Sequence, residues 1–271
     1  MGALVGPKLV AAHVEKSPLL SRAWEALTTD REIQSLLRMA NINAVERLLY
    51  NDHGPVHAAI VSGSALEIFD ILYRHGLRPS SIIHRITRSL DCAKLIVLMG
   101  AYLHDIGNSI HRKHHELVGA MMAAPILDRL LPAIVEGEDC DPYMIRSEIQ
   151  HAIYATAMDV EALTLEASVV KVADATDMAE GRARLPYAKG KEDIHALSAL
   201  SIKKVIIEEN RDSRRPLRIK VYMEDMAGMF QIERVLLPKI KTSIIGEYII
   251  VEPVLLGVNA RRLKPIFPGN C

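Results

Sequence analysis

From residue 17 to about residue 208 the apolar positions recur every three or four residues, the spacing of helices with one buried face. Ser17 followed by Pro18 reads as an N-cap with proline in the first turn, opening a helix through Trp24 and Leu27. Asp30 starts a second, with Ile33, Leu36, Leu37 and Ala40 on one face. Asp52 precedes a longer helix through Ile60, Leu66, Phe69 and Leu72 that stops at Gly76. Asp91 is the expected cap of a strongly apolar helix from Ala93 to Ile106, ended by Gly107 and Asn108. Further helices are expected at about 114–131, at 142–156 behind Asp141 and Pro142, at 160–179 and at 192–201.

Beyond residue 200 the period shortens. Leu217, Ile219, Val221 and Met223 alternate with Arg218, Lys220, Tyr222 and Glu224, the two-residue repeat of a half-buried strand. Residues 202–209 read as a preceding strand, with a turn over 211–216. Residues 228–243 return to helical spacing despite Pro238, and 247–256 read as a third strand. The expected fold is mainly α. A helical body covers 1–200, and a small α+β unit of β-β-α-β order, resembling a fragment of a ferredoxin-like fold, covers 201–271.

Composition narrows the function. Lys plus Arg is 33 and Asp plus Glu is 33, so the formal charge is zero. That balance excludes a generic nucleic-acid binder, which needs a positive field, but not a small phosphorylated substrate held by a few local cations. Hydrophobic residues are 49% of the chain and aromatics only 4%, so the core is aliphatic. No apolar run approaches the roughly 20 residues of a membrane span, and Lys8 interrupts the mildly apolar residues 2–12 without a signal-peptide pattern. The start Met-Gly-Ala-Leu-Val-Gly lacks the Ser or Thr of a myristoylation signal. Cys92, Cys140 and Cys271 are scattered and odd in number, which predicts a reduced, cytoplasmic chain without disulfides and without membrane contact.

Nine of the eleven histidines fall between His53 and His151. The sharpest local feature is Leu103-His104-Asp105-Ile106-Gly107, an imidazole and a carboxylate side by side at the end of an apolar helix. Burying both without partners costs several kcal/mol, and a divalent metal relieves that cost because neutral imidazole and carboxylate are both suitable ligands. The plainer reading is an Asp capping the next turn and a His on a backbone carbonyl. Asp174 is a second carboxylate embedded in an apolar helix, in Val172-Ala173-Asp174. His53 follows Tyr50-Asn51-Asp52, and His115 and His151 lie among apolar neighbours.

The order His53, His104-Asp105, His115, His151, Asp174 resembles the HD superfamily of metal-dependent phosphohydrolases, over roughly residues 40–185. Carried over position by position, the resemblance implies that His53, His104, Asp105 and Asp174 hold one divalent metal. It implies that His115 and His151 add a second, with Asp105 bridging. One or two ions per chain are expected, with Fe, Mn, Mg, Ni, Co and Zn not distinguished. His57, one helical turn beyond His53, competes with it for the ligand position and is otherwise a substrate contact. His111 and His114 compete with His115.

The departures from the family's subclasses are informative. The Gly-Tyr-Pro signature of enzymes that degrade cyclic dinucleotides does not follow His151, and Asn108 stands where that subclass has Lys. The arrangement from His151 through Lys171-Val172-Ala173-Asp174 looks more like HD enzymes that cleave dinucleoside polyphosphates. The whole chain looks closest to an uncharacterised HD group with a small C-terminal α+β unit. Arg182 and Arg184, just after the Asp174 helix, are candidate phosphate clamps, and His111, His114 or His195 is the candidate proton donor to the leaving oxygen. No Gly-Lys-Ser/Thr phosphate loop is present, and neither Cys92 nor Cys140 sits where a thiolate is favoured.

The expectation is therefore a metal-dependent phosphohydrolase, a phosphatase or phosphodiesterase, in which metal-activated water cleaves a phosphoester or phosphoanhydride of a nucleotide or dinucleotide. Two alternatives compete. One is a nucleotide-binding regulatory module without turnover, and the other a dinuclear-iron oxygenase. A homodimer formed through the C-terminal unit is a further expectation.

Overall fold

Helix starts are set by side chains that take up the free N–H groups of a first turn. The computed structural model describes residues 2–182, 194–210, 214–257 and 261–268. A two-residue strand, β1 (Ala3–Leu4), and a single turn, α1 (Ala11–Val14), precede α2 (Pro18–Thr29), whose first turn Ser17 caps by accepting Leu20 N–H. Asp30 does the same for Ile33 N–H at the start of α3 (Arg31–Asn41), and a π-helical turn, Ile42–Arg47, follows.

Helix α4 (Pro55–Arg74) opens on Pro55 with Gly54 at its N-cap position and no side-chain cap, and the Asp52 carboxylate before it folds back onto Gly54 N–H. A single turn, α5 (Ser80–Ile83), leads to α6 (Leu90–Leu103). There the cap is Ser89, not Asp91; Asp91 instead accepts the Ser17 hydroxyl at 2.7 Å and ties α6 to α2. Helix α6 also ends three residues earlier than the apolar pattern suggests, so the His104-Asp105 pair lies in the turn before a 3-10 segment, Ile106–Ser109.

Helices α7 (His115–Ile134), α8 (Pro142–Tyr154, capped by Asp141) and α9 (Leu165–Thr176, capped by Thr164) complete the bundle. Helix α9 is shorter than its apolar stretch because the chain before it turns around buried Lys171, whose ammonium donates to the carbonyls of Ala157 and Val160. Helices α4, α6 and α9 form the centre. Helix α6 is buried from Leu95 through Leu103, the signature of a core helix apolar on every side. Helices α4 and α7 are each 20 residues long with windows of mean hydropathy 1.3 and 1.5, so two helices do reach the length and hydropathy of a membrane span. In α4, 67% of that window is buried inside the bundle.

After α10 (Ile194–Ser201) the chain forms β2 (Ile202–Glu209) and β3 (Leu217–Met223), an antiparallel pair whose inward residues Leu217, Ile219, Val221 and Met223 are fully buried. A crossover follows, made of α11 (Met229–Gln231), a π-helical turn (Ile232–Leu236) and α12 (Leu237–Lys241). It returns the chain as β4 (Ile249–Leu255), parallel to β3, and β5 (Arg261–Arg262) pairs antiparallel with β4. The fold is therefore a helical bundle with a small β-β-α-β unit, extended into a five-stranded sheet of order β1-β2-β3-β4-β5. Residue 200 falls near the junction of α10 and β2. The sheet nonetheless takes in the N-terminus, where Ala3 pairs with Ile207, and one apolar cluster runs from the bundle into the strands.

One expectation is reversed. Cys92 and Cys140 form a disulfide with Cα atoms 6.2 Å apart, joining the start of α6 to the loop before α8. The 48-residue separation hides this pairing in the sequence; a bridge between Thr87 and Cys140 brings that loop alongside α6. Reductant should lower the stability of the wild type by about 2–4 kcal/mol and leave Cys140→Ser unchanged in chemical denaturation. Three free thiols in the unfolded, unreduced protein would exclude the bond.

Candidate metal centre

The end of α6 builds the centre. With the helix finished at Leu103, the Ala101 carbonyl is free of an intrahelical partner and accepts the Nδ1–H of His104 at 2.8 Å. That bond leaves His104 Nε2 as the lone-pair nitrogen, aimed inward 3.3 Å from Asp105 Oδ2. The other carboxylate oxygen, Asp105 Oδ1, accepts the Asn108 amide at 2.8 Å. The departure at Asn108 noted in the sequence thus has a role: it orients Asp105.

Gly107 sets how closely the next helix approaches. A Cβ there would lie 2.0 Å from the His115 carbonyl oxygen and 2.6 Å from Gly119 N, so only glycine lets α7 start against this turn. The close approach brings His115 Nε2 to 3.3 Å from Asp105 Oδ1, while His115 Nδ1 faces the Arg112 carbonyl and Glu116.

Helix α4 delivers His57 from its first turn. Its Nδ1 lies 2.7 Å from Asp177, and its Nε2 lies 3.4 Å from Asp105 Oδ2 and 3.2 Å from Asp174 Oδ1. A carboxylate behind a ligand imidazole fixes the ring and its tautomer, the usual support for a metal-bound histidine. Asp174, near the end of α9, also lies 3.6 Å from His104 Nε2 and accepts the ammonium of Lys239.

These atoms fit a divalent cation. His57, His104 and Asp105 are all buried and present ligand atoms within 4.8 Å of one another. His104 Nε2 and Asp105 Oδ2 are buried with no hydrogen-bond partner among the described residues, a costly state unless a cation joins them. Burial disfavours charge on both carboxylates, yet the neighbouring cationic groups hold them well below the usual range: His104 and His53 around Asp105, Lys239 and His104 around Asp174. Burial also opposes a charged His104, but Asp105 and Asp174 push its imidazole up to about 10. The group attracts positive charge, and protons compete with a metal for it.

The sequence expectations are distributed unevenly over this geometry. His104, Asp105, His115 and Asp174 come together. His57, rather than His53, occupies the close group, because His53 precedes α4 in an irregular segment where Asn41 takes its backbone N–H and its ring Nδ1 faces the Asn51 carbonyl. The His53 ring lies 5.7 Å from that of His57 and lines the cavity. His151 is not brought in: α8 places it where Nε2 accepts Leu163 N–H at 3.0 Å. His111 and His114 are exposed and do not line the cavity; His111 caps its own turn by accepting Lys113 N–H, and His114 adopts a positive φ of 61°. Arg184 lies outside the described residues, as do the side chains of Arg182 and His195.

A cavity lined by Asp105 and Asp174 measures about 290 Å³. The bundle supplies one wall, including Tyr50, Arg112 and His115, and α11–α12 with the turn between them supplies Gln231, Arg234 and Lys239. Sequence reasoning missed Asp177 as the partner of His57, and these three C-terminal residues. Asp177 had a signal, its place three residues beyond Asp174. The C-terminal residues had none, since only the chain's return across the bundle places them here.

Residues 72–179 match a family model described as HD domain, a span that includes His104, Asp105, His115 and Asp174 but not His57. The chain is 41% identical over 244 residues, 90% of each chain, to the uncharacterized protein MJ1020 of Methanocaldococcus jannaschii. No solved structure matches.

His57→Ala should strip most of the metal from the purified protein, whereas His53→Ala should retain more, as read by elemental analysis. Asp177→Asn should weaken metal affinity by about 10–100-fold, and affinity in the wild type should fall as pH falls. Metal content in His57→Ala equal to the wild type would remove His57 from the ligand set.

Proposed function

The chain belongs to the HD family of metal-dependent phosphohydrolases, and on that premise we propose that it hydrolyses a phosphoester or phosphoanhydride of a small phosphorylated compound, with a nucleotide as the leading substrate class. The observation that carries the reading is the convergence of His57, His104, Asp105 and Asp174, with two buried polar atoms left for a cation, where Asp105 and Asp174 also line a cavity that holds Arg112 and Arg234. A divalent ion held by His57, His104, Asp105 and Asp174 would supply Lewis acidity there, lowering the pKa of water and polarising a phosphoryl oxygen.

The chain's own groups prepare that chemistry. The Ala101 carbonyl and Asp177 fix the two imidazoles with Nε2 inward, and Asn108 holds Asp105 Oδ1. His115 would join Asp105 in holding a second ion only by exchanging the Arg112 hydrogen bond at its Nε2 for the metal. Arg112 donates to His115 Nε2 at 2.9 Å and to Asn108 Oδ1 at 3.3 Å, which sets its guanidinium beside the group. Cations so placed stabilise the charge that builds on the phosphoryl oxygens as the bond to the leaving group breaks.

The metal-reconstituted protein should release phosphate or a nucleotide from at least one member of a phosphomonoester, phosphodiester and dinucleotide panel. Asp105→Ala should lower that rate by about 10²–10³-fold or more. Retained turnover in Asp105→Ala would sink the metal mechanism. Ligand binding without turnover under every divalent ion tried would replace hydrolysis by a sensing role.

A further inference from the structure

The cavity has walls of different origin. Asp105, His115 and Asp174 come from the bundle. One crossover in the C-terminal unit supplies Gln231, Arg234, Val235 and Lys239 along its length. Positions 231, 235 and 239 share the four-residue spacing of one helix face. The π-helical turn Ile232–Leu236 lies between them, an irregularity that recurs at functional sites.

These residues differ in how they are satisfied. Lys239 is only 9% exposed and its ammonium is committed to Asp174. Arg112 is committed in part to His115 and Asn108, with its guanidinium carbon 5.8 Å above the Tyr50 ring. Arg234 is exposed, lines the cavity, and has no hydrogen-bond or ion-pair partner among the described residues. An open guanidinium lining the same cavity as Asp105 and Asp174 suits a ligand that spans the cavity: an anion whose oxygens would meet a metal on one side and the N–H fork on the other. Phosphate has that geometry, and guanidinium binds it through two parallel hydrogen bonds.

We infer that Arg234 binds the phosphate group of the substrate together with Arg112, so that the C-terminal unit completes the substrate site. This rests on the hydrolase reading above and assigns the phosphate contact to residues on two separate parts of the chain. Lys239 is a positioning residue in this arrangement: its bond to Asp174 anchors the crossover that carries Arg234.

The test uses the full-length protein and inorganic phosphate, titrated calorimetrically with and without Mn²⁺, on the wild type, Arg234→Ala, Arg234→Lys and Lys241→Ala. Lys241 is an exposed cation on α12 that does not line the cavity. Arg234→Ala should weaken phosphate binding about tenfold, the scale of one charge-assisted contact, with metal content and melting temperature unchanged. Arg234→Lys should recover part of the loss, and Lys241→Ala should bind as the wild type does. For any phosphoester turned over, Arg234→Ala should raise KM in parallel. Equal phosphate affinity in Arg234→Ala and the wild type, or no phosphate binding by the wild type, overturns the inference. Phosphate binding through Arg234 without hydrolysis of any phosphoester leaves this inference standing and fails the hydrolase reading instead.

Discussion

Two carboxylates and two imidazoles, Asp105, Asp174, His57 and His104, meet within 3.2–3.6 Å in the interior of an aliphatic bundle. Such a group is unfavourable unless positive charge joins it, since each buried carboxylate loses its hydration and the inward atoms have little to bond to. The surrounding structure follows from that constraint. The early end of α6 frees the Ala101 carbonyl for His104, and Asp177 backs His57. Asn108 satisfies the oxygen of Asp105 that faces away from the pair, and Lys239 answers Asp174 from the other side. The residues around the group are therefore engaged in aiming its ligand atoms.

Rigidity comes from the packing beneath. Helices α4 and α9 carry His57 and Asp174, α6 leads directly into the turn that carries His104 and Asp105, and all three are buried over most of their lengths. Each large aliphatic side chain in that interior contributes about 1.5–3 kcal/mol of burial. Gly107 transmits this order to α7, because the backbone contact it permits sets the distance from His115 to Asp105. The site is held by three core helices and one glycine contact.

The C-terminal unit is joined to the rest of the chain at one edge of its sheet and through its crossover. β1 comes from the N-terminus, and Lys239 bonds α12 to Asp174. The cavity thus lies between residues more than a hundred positions apart in the chain. A division into a catalytic half and an appended half follows the order of the sequence better than it follows the site.

The sequence by itself determined the periodic elements, the caps at Ser17, Asp30 and Asp141, the β-β-α-β order, and His104, Asp105 and Asp174 as members of the buried group. These are local properties, written in spacings of two to four residues and in pairs of neighbours. One cap was misread where two candidates stood close together, Asp91 in place of Ser89, because the fold draws the Asp91 carboxylate to Ser17. The choice of His57 over His53, the removal of His151, His111 and His114 from the centre, the Cys92–Cys140 bond and the arrival of Arg234 at the cavity were decided only by the tertiary structure. Each depends on where a ring or a backbone points after distant segments pack, and a spacing along the chain carries no record of that direction.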